Sequence, residues 1–330
     1  MSLKLSILDL AHVPLGSDIA QALRNVLEYA EIVDALGYER IWYAEHHNMP
    51  GIASAATSVL IGQVASHTSR IRVGAGGIML PNHSPLVIAE QFGTLEALYP
   101  GRIDLGLGRA PGTDALTWRA LRREPGASDR FADDVLELQA LLGPVQPGQR
   151  IRAVPGMDSN VPLWILGSSL FGAQLAARLG LPYAFASHFA PAALHDALGV
   201  YRERFHPSLH QPGPYAMVGV NVICAPTDAE AQHLFTSLQN VVIGLVSGRP
   251  GRLAPPVDTV MQLPPHVQAH VDSFLGCSFV GSPEVVRAGL EQFARDTRAD
   301  ELIVASAIFD PAARLRSAEL LAAALWGAAA

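Results

Sequence analysis

The sequence predicts an α/β protein built as a (β/α)8 TIM barrel with insertions, and three observations support this fold class. Short apolar segments alternate with longer helix-like ones, which is the βαβ rhythm of a parallel sheet. Eight strand-like segments occur, a number that favours a closed barrel over an open doubly wound sheet. The chain has 330 residues, enough for one barrel of about 250 residues with insertions. We therefore expect a single domain over residues 1–330.

The predicted strands are short apolar runs that end at small or polar residues or before a proline such as Pro111. In chain order they cover residues 5–10, 40–44, 71–79, 103–108, 163–166, 183–187, 217–224 and 302–306. The predicted helices follow them and cover residues 18–36, 54–67, 86–98, 129–142, 170–179, 192–205, 229–246 and 283–298, before an alanine-rich helix that ends at Trp326.

Two segments interrupt this rhythm and are interpreted as insertions. Residues 143–161 are rich in glycine and proline, and residues 247–276 contain five prolines. Long loops in a compact barrel are usually lids or binding loops, although some are only peripheral.

Composition excludes several classes of function. The net charge is −7 and the arginines are scattered, so no basic face for nucleic acid is predicted. No apolar run reaches transmembrane length, so no membrane partner is expected. The chain starts with a strand-like segment and shows no export signal, and we expect a cytoplasmic protein.

Lys4 is the only lysine, against 22 arginines, and it lies near the amino end of the first strand. Schiff-base enzymes and P-loop proteins need a lysine in the site, so neither class has a candidate residue here. Cys224 and Cys277 are the only cysteines, and their spacing predicts neither a disulfide framework nor a metal site.

A phosphate site is predicted where two strands end. The strand 103–108 ends just before Arg109, and the strand 163–166 runs into Ser168 and Ser169 at a helix start. Backbone amides and hydroxyls at a helix N-terminus attract phosphate, and a guanidinium supplies charge and a fork of donors. The alternatives are a salt-bridged arginine at the barrel rim and an ordinary serine cap.

His46 is the candidate for proton transfer. Adjacent strand residues point to opposite faces, so if Trp42 and Ala44 face the barrel interior, His46 lies above them and His47 points elsewhere. An imidazole there can exchange a proton near neutral pH. Because the two histidines diverge, no metal site is predicted. The alternative is a histidine held in a rim hydrogen-bond network.

Glycines near the end of the third strand, at 74 and 76–77, are unusual in a buried strand. They indicate either the close approach of a planar ring or a β-bulge. Glycines 106, 108 and 112 do not form a GxGxxG dinucleotide motif, and Ser168 and Ser169 lack the GxSxG elbow of serine hydrolases.

Taken together, four colinear motifs resemble those of the bacterial luciferase-like flavin-dependent monooxygenases, most nearly the alkanal-monooxygenase-like subgroup. The motifs are Ala44-Glu45-His46-His47, Gly76-Gly77-Ile78-Met79-Leu80-Pro81-Asn82-His83-Ser84-Pro85, Gly101-Arg102-Ile103-Asp104-Leu105-Gly106-Leu107-Gly108-Arg109 and Phe279-Val280-Gly281-Ser282-Pro283-Glu284. They span nearly the whole chain and lie at the strand ends predicted above.

The resemblance implies FMN as cofactor. Arg109, Ser168 and Ser169 would hold the phosphate, and Gly172 in the following helix would also bind the cofactor. Gly76 and Gly77 would lie beneath the isoalloxazine ring, where the family can hold a non-prolyl cis peptide. His46 occupies the position of the family's active-site histidine. The luciferase α chain has an acidic residue where Ser168 stands, which changes the detail of the phosphate site.

The implied reaction uses reduced FMN and O₂, through a C4a-peroxyflavin, to oxygenate a small organic substrate. A separate flavin reductase would supply the reduced FMN, because no dinucleotide motif is present. The alternatives are an F420-dependent oxidoreductase of the same superfamily and a non-catalytic flavin-binding protein. The small residues of the helix 54–67 and the resemblance also imply a homodimer.

Overall fold

The computed structural model describes residues 3–110, 114–124, 126–209 and 211–327. Within these residues, eight parallel strands form a closed barrel, as predicted. The ring is closed because β1 pairs with both β2 and β9, while β7 pairs with both β6 and β9. Its strands are β1 (Leu5–Asp9), β2 (Arg40–Tyr43), β3 (Arg72–Met79), β4 (Ile103–Gly108), β5 (Leu163–Gly167), β6 (Tyr183–Phe185), β7 (Ala216–Cys224) and β9 (Glu301–Ala305).

A further strand, β8 (Ser278–Gly281), was not predicted. It pairs with the carboxyl-terminal half of β7 from Asn221 to Cys224 and lies outside the ring. Its four residues lie between the predicted insertion 247–276 and the predicted helix 283–298 and were assigned to no element, because so short a run carries little pattern. Pro111, predicted to stop β4 from continuing, lies outside the described residues.

The helices follow the strands around the outside of the ring. They are α1 (Ile19–Leu36), α2 (Thr57–His67), α3 (Pro85–Leu98), α4 (Ala115–Ala120), α5 (Phe131–Leu142), α6 (Leu170–Leu179), α7 (Leu194–Glu203), α8 (Asp228–Val246), α9 (Pro265–Phe274), α10 (Pro283–Thr297) and α11 (Pro311–Trp326). None of the helices found in the described ranges is long and apolar enough to cross a membrane.

Capping residues explain the limits of several helices. The Asp18 carboxylate accepts from the Gln21 backbone N–H at 2.7 Å to start α1, and Gly37 ends that helix at φ 89°. Helix α2 starts three residues later than predicted, because the buried Ser54 hydroxyl donates to the carbonyl oxygens of Ala44 and Leu10 instead of capping the helix. Helices α4 and α9 were not predicted, and α9 lies inside the segment 247–276.

The barrel interior is charged at the amino ends of the strands. Arg40 Nη1 lies 2.7 Å from Asp104 Oδ2, and Arg40 Nε lies 2.8 Å from Glu301 Oε1. Arg72 Nη2 contacts Asp104 Oδ1 at 2.6 Å. Burial by itself would raise the pKa of Asp104, but the charges and hydrogen bonds of Arg40 and Arg72 hold that pKa below its ordinary value.

An apolar layer lies above these charges and separates them from the carboxyl ends of the strands. Trp42 and Trp164 cross in this layer with ring centroids 5.1 Å apart. It also contains Leu8, Ala44, Ala184, Met217 and Ile303. Trp42 and Ala44 therefore face the barrel interior, as the alternation along the predicted strand 40–44 indicates.

Candidate active site

A cavity of about 480 Å³ opens at the carboxyl ends of the barrel strands, within the range of about 300–1,000 Å³ typical of small-molecule sites. It brings together six of the seven residues predicted from the sequence. The six lining residues are His46, Gly76, Arg109, Ser168, Ser169 and Gly172. Gly77, the seventh, follows Gly76 across a cis peptide bond.

One end of the cavity is suited to an anion. Ser169 occupies the N-cap position of α6 but makes no side-chain capping bond, so its hydroxyl does not satisfy the first amides of that helix. The Arg109 guanidinium lies over the Phe171 ring, with Cζ 4.1 Å from the ring centroid. No carboxylate among the described residues pairs with Arg109, so the predicted alternative of a rim salt bridge is not observed. This end therefore combines a fixed positive charge with free backbone donors.

Gly172 lets α6 pack closely on the barrel. A Cβ atom at Gly172 would lie 3.2 Å from the Tyr183 ring and 3.4 Å from the Cα of Gly167. The Tyr183 hydroxyl donates to the Ser169 carbonyl at 3.2 Å, which fixes the turn before the helix. The close packing holds the amino end of α6 at the cavity wall.

Gly76 and Gly77 lie at a bulge in β3. The register with β4 shifts between Ala75 and Ile78, which is the alternative that the sequence left open. A Cβ atom at Gly76 would lie 2.7 Å from Leu8 Cδ1, and one at Gly77 would lie 2.6 Å from the Gly106 carbonyl oxygen. Packing against the Gly106 backbone therefore requires Gly77 to be glycine. A Cβ atom at Gly76 would need Leu8 and Trp42 to shift, and Gly76 leaves flat backbone at the cavity surface.

Glu45 ties the end of β2 to the loop that follows β3. Its buried carboxylate accepts from His47 Nε2 at 2.7 Å, from His83 Nε2 at 2.9 Å and from the Met79 backbone N–H at 2.9 Å. Burial alone would raise the pKa of Glu45, but the hydrogen bonds from the two histidines and Met79 lower it. His47 thus points to Glu45 while His46 faces the cavity, as predicted. The sequence interpretation gave Glu45 and His83 no role.

Two further histidines line the cavity and were not identified from the sequence. His12 follows β1 and bonds to the Gly51 carbonyl, and His188 follows β6. Burial and the nearby His46 lower the pKa of His188 to about 4, and burial with the Arg314 charge lowers that of His12 to about 4. Both imidazoles are therefore neutral near pH 7. Each is an isolated histidine in a loop, a pattern that carries no signal in one sequence.

An ion pair forms part of the cavity wall. Arg314 of α11 reaches Asp9 Oδ1 at 3.0 Å and lies over the Tyr29 ring at 3.9 Å. Burial alone would lower the pKa of Arg314, but the Asp9 carboxylate raises it, so Arg314 stays charged beside Asp9. Within the described residues, no group of three or more histidine, cysteine or acidic side chains is arranged to hold a metal ion.

The other end of the cavity is apolar. Helix α8 contributes one side of it with Leu238, Val241, Val242 and Leu245. Pro250, Gly251 and Phe274 come from the segment 247–276, which was predicted to be an insertion. A backbone bridge between Pro14 and Leu253 fixes that segment beside the loop after β1. The segment therefore closes over one side of the cavity.

Comparisons with known proteins agree with this architecture. Residues 3–301 match the family model described as luciferase-like monooxygenase. A luciferase-like monooxygenase of Escherichia coli (strain K12) is 53% identical over 317 residues, covering 96% of this chain and 95% of the relative. The crystal structure of apo-MsnO8 superposes with a TM-score of 0.88 at 40% identity and covers 98% of both chains.

Two solved structures of lower identity share the fold. The oxygenating constituent of 3,6-diketocamphane monooxygenase from Pseudomonas putida, a type II Baeyer-Villiger monooxygenase solved with FMN, has a TM-score of 0.74 at 18% identity and covers 98% of both chains. An F420-dependent secondary alcohol dehydrogenase has a TM-score of 0.71 at 15% identity, covering 96% of this chain and 97% of that chain. By its near full-length match to the family model and its 53% identity to a named member, the chain belongs to the luciferase-like monooxygenase family.

Proposed function

We propose that this protein is an FMN-dependent monooxygenase that uses reduced flavin and O₂ to oxygenate a small organic substrate. The observation that carries the proposal is the arrangement of one cavity, with Arg109 and the open start of α6 at one end and His46 on its wall beyond Gly76. A single phosphate matches one guanidinium and one helix N-terminus. F420 carries further carboxylates, and Arg109 is the unpaired cation among the described residues lining the cavity.

In this proposal each group of residues has a separate task. Arg109, Ser168 and Ser169 hold the phosphate, and the backbone of Gly76 and Gly77 supports the ring. Reduced FMN supplies the electrons that activate O₂. His46 transfers a proton between its imidazole and the reacting oxygen atoms, and the segment 247–276 excludes water from the cavity.

The phosphate assignment predicts that Arg109→Ala weakens FMN binding by about 10- to 100-fold. A charge-assisted hydrogen bond to phosphate contributes about 1.5–3 kcal/mol, and the substitution removes it. Arg109 is exposed and lies on the cavity rim, so the free energy of unfolding should change little. Quenching of FMN fluorescence measures the affinity, and urea unfolding measures the stability.

Arg178→Ala is the matched control, because Arg178 is an exposed arginine in the last turn of the same helix α6. It should bind FMN as tightly as the unmodified protein. An Arg109→Ala protein that is folded and binds FMN with unchanged affinity would contradict the phosphate assignment.

A second prediction concerns the source of electrons. The sequence has no dinucleotide-binding motif, so we expect reduced FMN to come from a separate flavin reductase. Mixed anaerobically with NADH or NADPH, the FMN-loaded protein alone should lose its flavin absorbance slowly, and a catalytic amount of reductase should make the loss fast. Fast stoichiometric reduction without reductase would refute this two-component scheme. If reduced FMN mixed with the protein reacts with O₂ only as fast as free reduced FMN does, the F420-dependent or storage alternatives are favoured.

A third prediction concerns assembly. Exposed apolar side chains lie on neighbouring helices, with Val59 on α2 72% exposed and Val87 on α3 44% exposed. We expect this face to form a homodimer, so light scattering should give twice the chain mass of 35.1 kDa. Val59→Arg should shift the protein to monomer, whereas Val285→Arg on α10 should not. A monomer at micromolar concentration before any substitution would exclude the dimer.

A further inference from the structure

A chain of hydrogen bonds joins the anion end of the cavity to the loop that follows β3. Arg123, in the segment after α4, donates from Nη2 to the Ser128 hydroxyl and from Nη1 to Asn82 Oδ1 at 3.3 Å. The Ser128 hydroxyl in turn donates to the Arg109 carbonyl oxygen at 3.4 Å. Arg123 is therefore connected through one side chain to the backbone of Arg109.

The other branch of this chain ends at the carboxylate next to His46. The Asn82 side-chain amide donates to Glu45 Oε1 at 3.2 Å. The Glu45 backbone N–H donates to the Gly77 carbonyl oxygen at 3.3 Å. Arg123 thus connects the end of β4 with the ends of β2 and β3, which carry the other residues of the candidate site.

Arg123 is a half-buried cation without a carboxylate partner. Its two acceptors are a neutral hydroxyl and a neutral amide, and the Trp118 ring covers its guanidinium with Cζ 5.0 Å from the ring centroid. Burial lowers the pKa of Arg123, and no charge in the described part of the chain offsets that effect. Buried charges are usually paired, so an unpaired one beside an anion site indicates a function beyond stability.

The segment that carries Arg123 is held independently of Arg109. Asp114 caps the start of α4, and the Asn48 side-chain amide donates to its carboxylate at 3.1 Å. The segment 114–123 is therefore fixed at both ends against the loops that follow β2 and β3. A guanidinium presents its donors in a rigid fork, so Arg123 also fixes the spacing between its two acceptors.

We propose that Arg123 is a positioning residue for phosphate binding: through Ser128 it holds the Arg109 backbone, and so directs the Arg109 guanidinium before the cofactor binds. The inference rests on the proposed function, because it takes Arg109 as the phosphate ligand. Arg123 is not among the residues that line the cavity, so it acts through Arg109 and makes no contact with the flavin ring.

Comparing FMN with riboflavin, which lacks the phosphate, tests this role. Arg123→Met keeps a hydrocarbon stem against Trp118 and removes both donors. We expect it to weaken FMN binding about three- to tenfold, the effect of one hydrogen bond, and to leave riboflavin binding unchanged. Fluorescence quenching measures both affinities. Arg119→Met, at an exposed position on α4, is the matched control and should change neither.

Two further variants separate the fork from the charge. Ser128→Ala breaks the same chain one residue closer to Arg109 and should reproduce the selective loss of FMN affinity. Arg123→Lys keeps the charge without the fork and should weaken FMN binding as much as Arg123→Met does. In the Arg109→Ala background, Arg123→Met should cause no further loss, because the group that it positions is absent.

The outcomes distinguish this inference from the proposed function. If the unmodified protein binds FMN more tightly than riboflavin, the phosphate assignment stands. The positioning role is then overturned by full FMN affinity in Arg123→Met or Arg123→Lys, by equal losses for the two ligands, or by a further loss in the Arg109→Ala background. If the unmodified protein binds FMN no more tightly than riboflavin, the phosphate assignment and this inference both fail.

Discussion

His46→Ala is expected to retain FMN and to lose about 10²- to 10⁴-fold in the rate of substrate oxygenation. General acid or base assistance by a positioned side chain commonly contributes that much. His46 follows β2 and lines the cavity, and it is not one of the residues assigned to the phosphate, so the phosphate contacts should not change. The rate is measured by mass spectrometry of product under a constant supply of reduced FMN, and the affinity by fluorescence quenching.

Two variants sharpen this test. His46→Gln retains a hydrogen-bonding side chain but cannot exchange a proton, so it should be as slow as His46→Ala if proton transfer is the role. His67→Ala, at an exposed position at the end of α2, should oxygenate at the unmodified rate. A His46→Ala protein that oxygenates normally, or one that no longer binds FMN, would show that the role assigned to His46 is wrong.

Arg40→Ala is expected to reduce the free energy of unfolding by about 3–5 kcal/mol. The substitution leaves the buried carboxylates of Asp104 and Glu301 without the guanidinium that lies within 2.8 Å of each, and breaking a buried pair from one side costs about that much. Urea unfolding at neutral pH measures the difference. Arg316→Ala, which breaks the exposed pair with Glu319, is the control and should cost at most about 1 kcal/mol.

The pH dependence gives a separate check on the same cluster. The pKa of Asp104 is lower in the folded protein than in the unfolded chain, so its contribution is present above about pH 4 and is lost as the pH falls. In Arg40→Ala the Asp104 carboxylate is protonated more easily, which relieves the cost of burying it charged. The difference in the free energy of unfolding between Arg40→Ala and the unmodified protein should therefore shrink at acid pH. If the loss of unfolding free energy in Arg40→Ala is small at neutral pH, or grows on acidification, the role assigned to the Arg40 ion pairs is wrong.

The barrel could be predicted from the sequence because each ring strand is a separate apolar run with a helix after it. The alternation along the predicted strand 40–44 also sufficed to predict that Trp42 and Ala44 face the barrel interior. The charged cluster could not be predicted, because Arg40, Asp104 and Glu301 are far apart in sequence and meet only when the ring closes. His188 was missed for the same reason, since its ring packs against Gly219 of β7.

The glycines of β3 show a different limit. Their presence in a buried strand left two alternatives open, the approach of a planar ring and a β-bulge, and the structure contains the bulge. The sequence could not identify what approaches, and the nearest atoms at Gly76 and Gly77 belong to Leu8 and Gly106 of neighbouring strands. Short elements such as β8 and α4 contain too few residues for a periodic pattern to appear.

The position of β8 outside the ring has an evolutionary consequence. Because β8 bonds only to β7 among the described strands, the ring closes through β7 and β9 whether or not the chain between them makes an excursion. Mutations that lengthen, shorten or reshape this excursion leave the hydrogen bonding of the ring and the α6 end of the cavity intact. Selection can therefore reshape this side of the cavity while the ring and the α6 end are inherited without change.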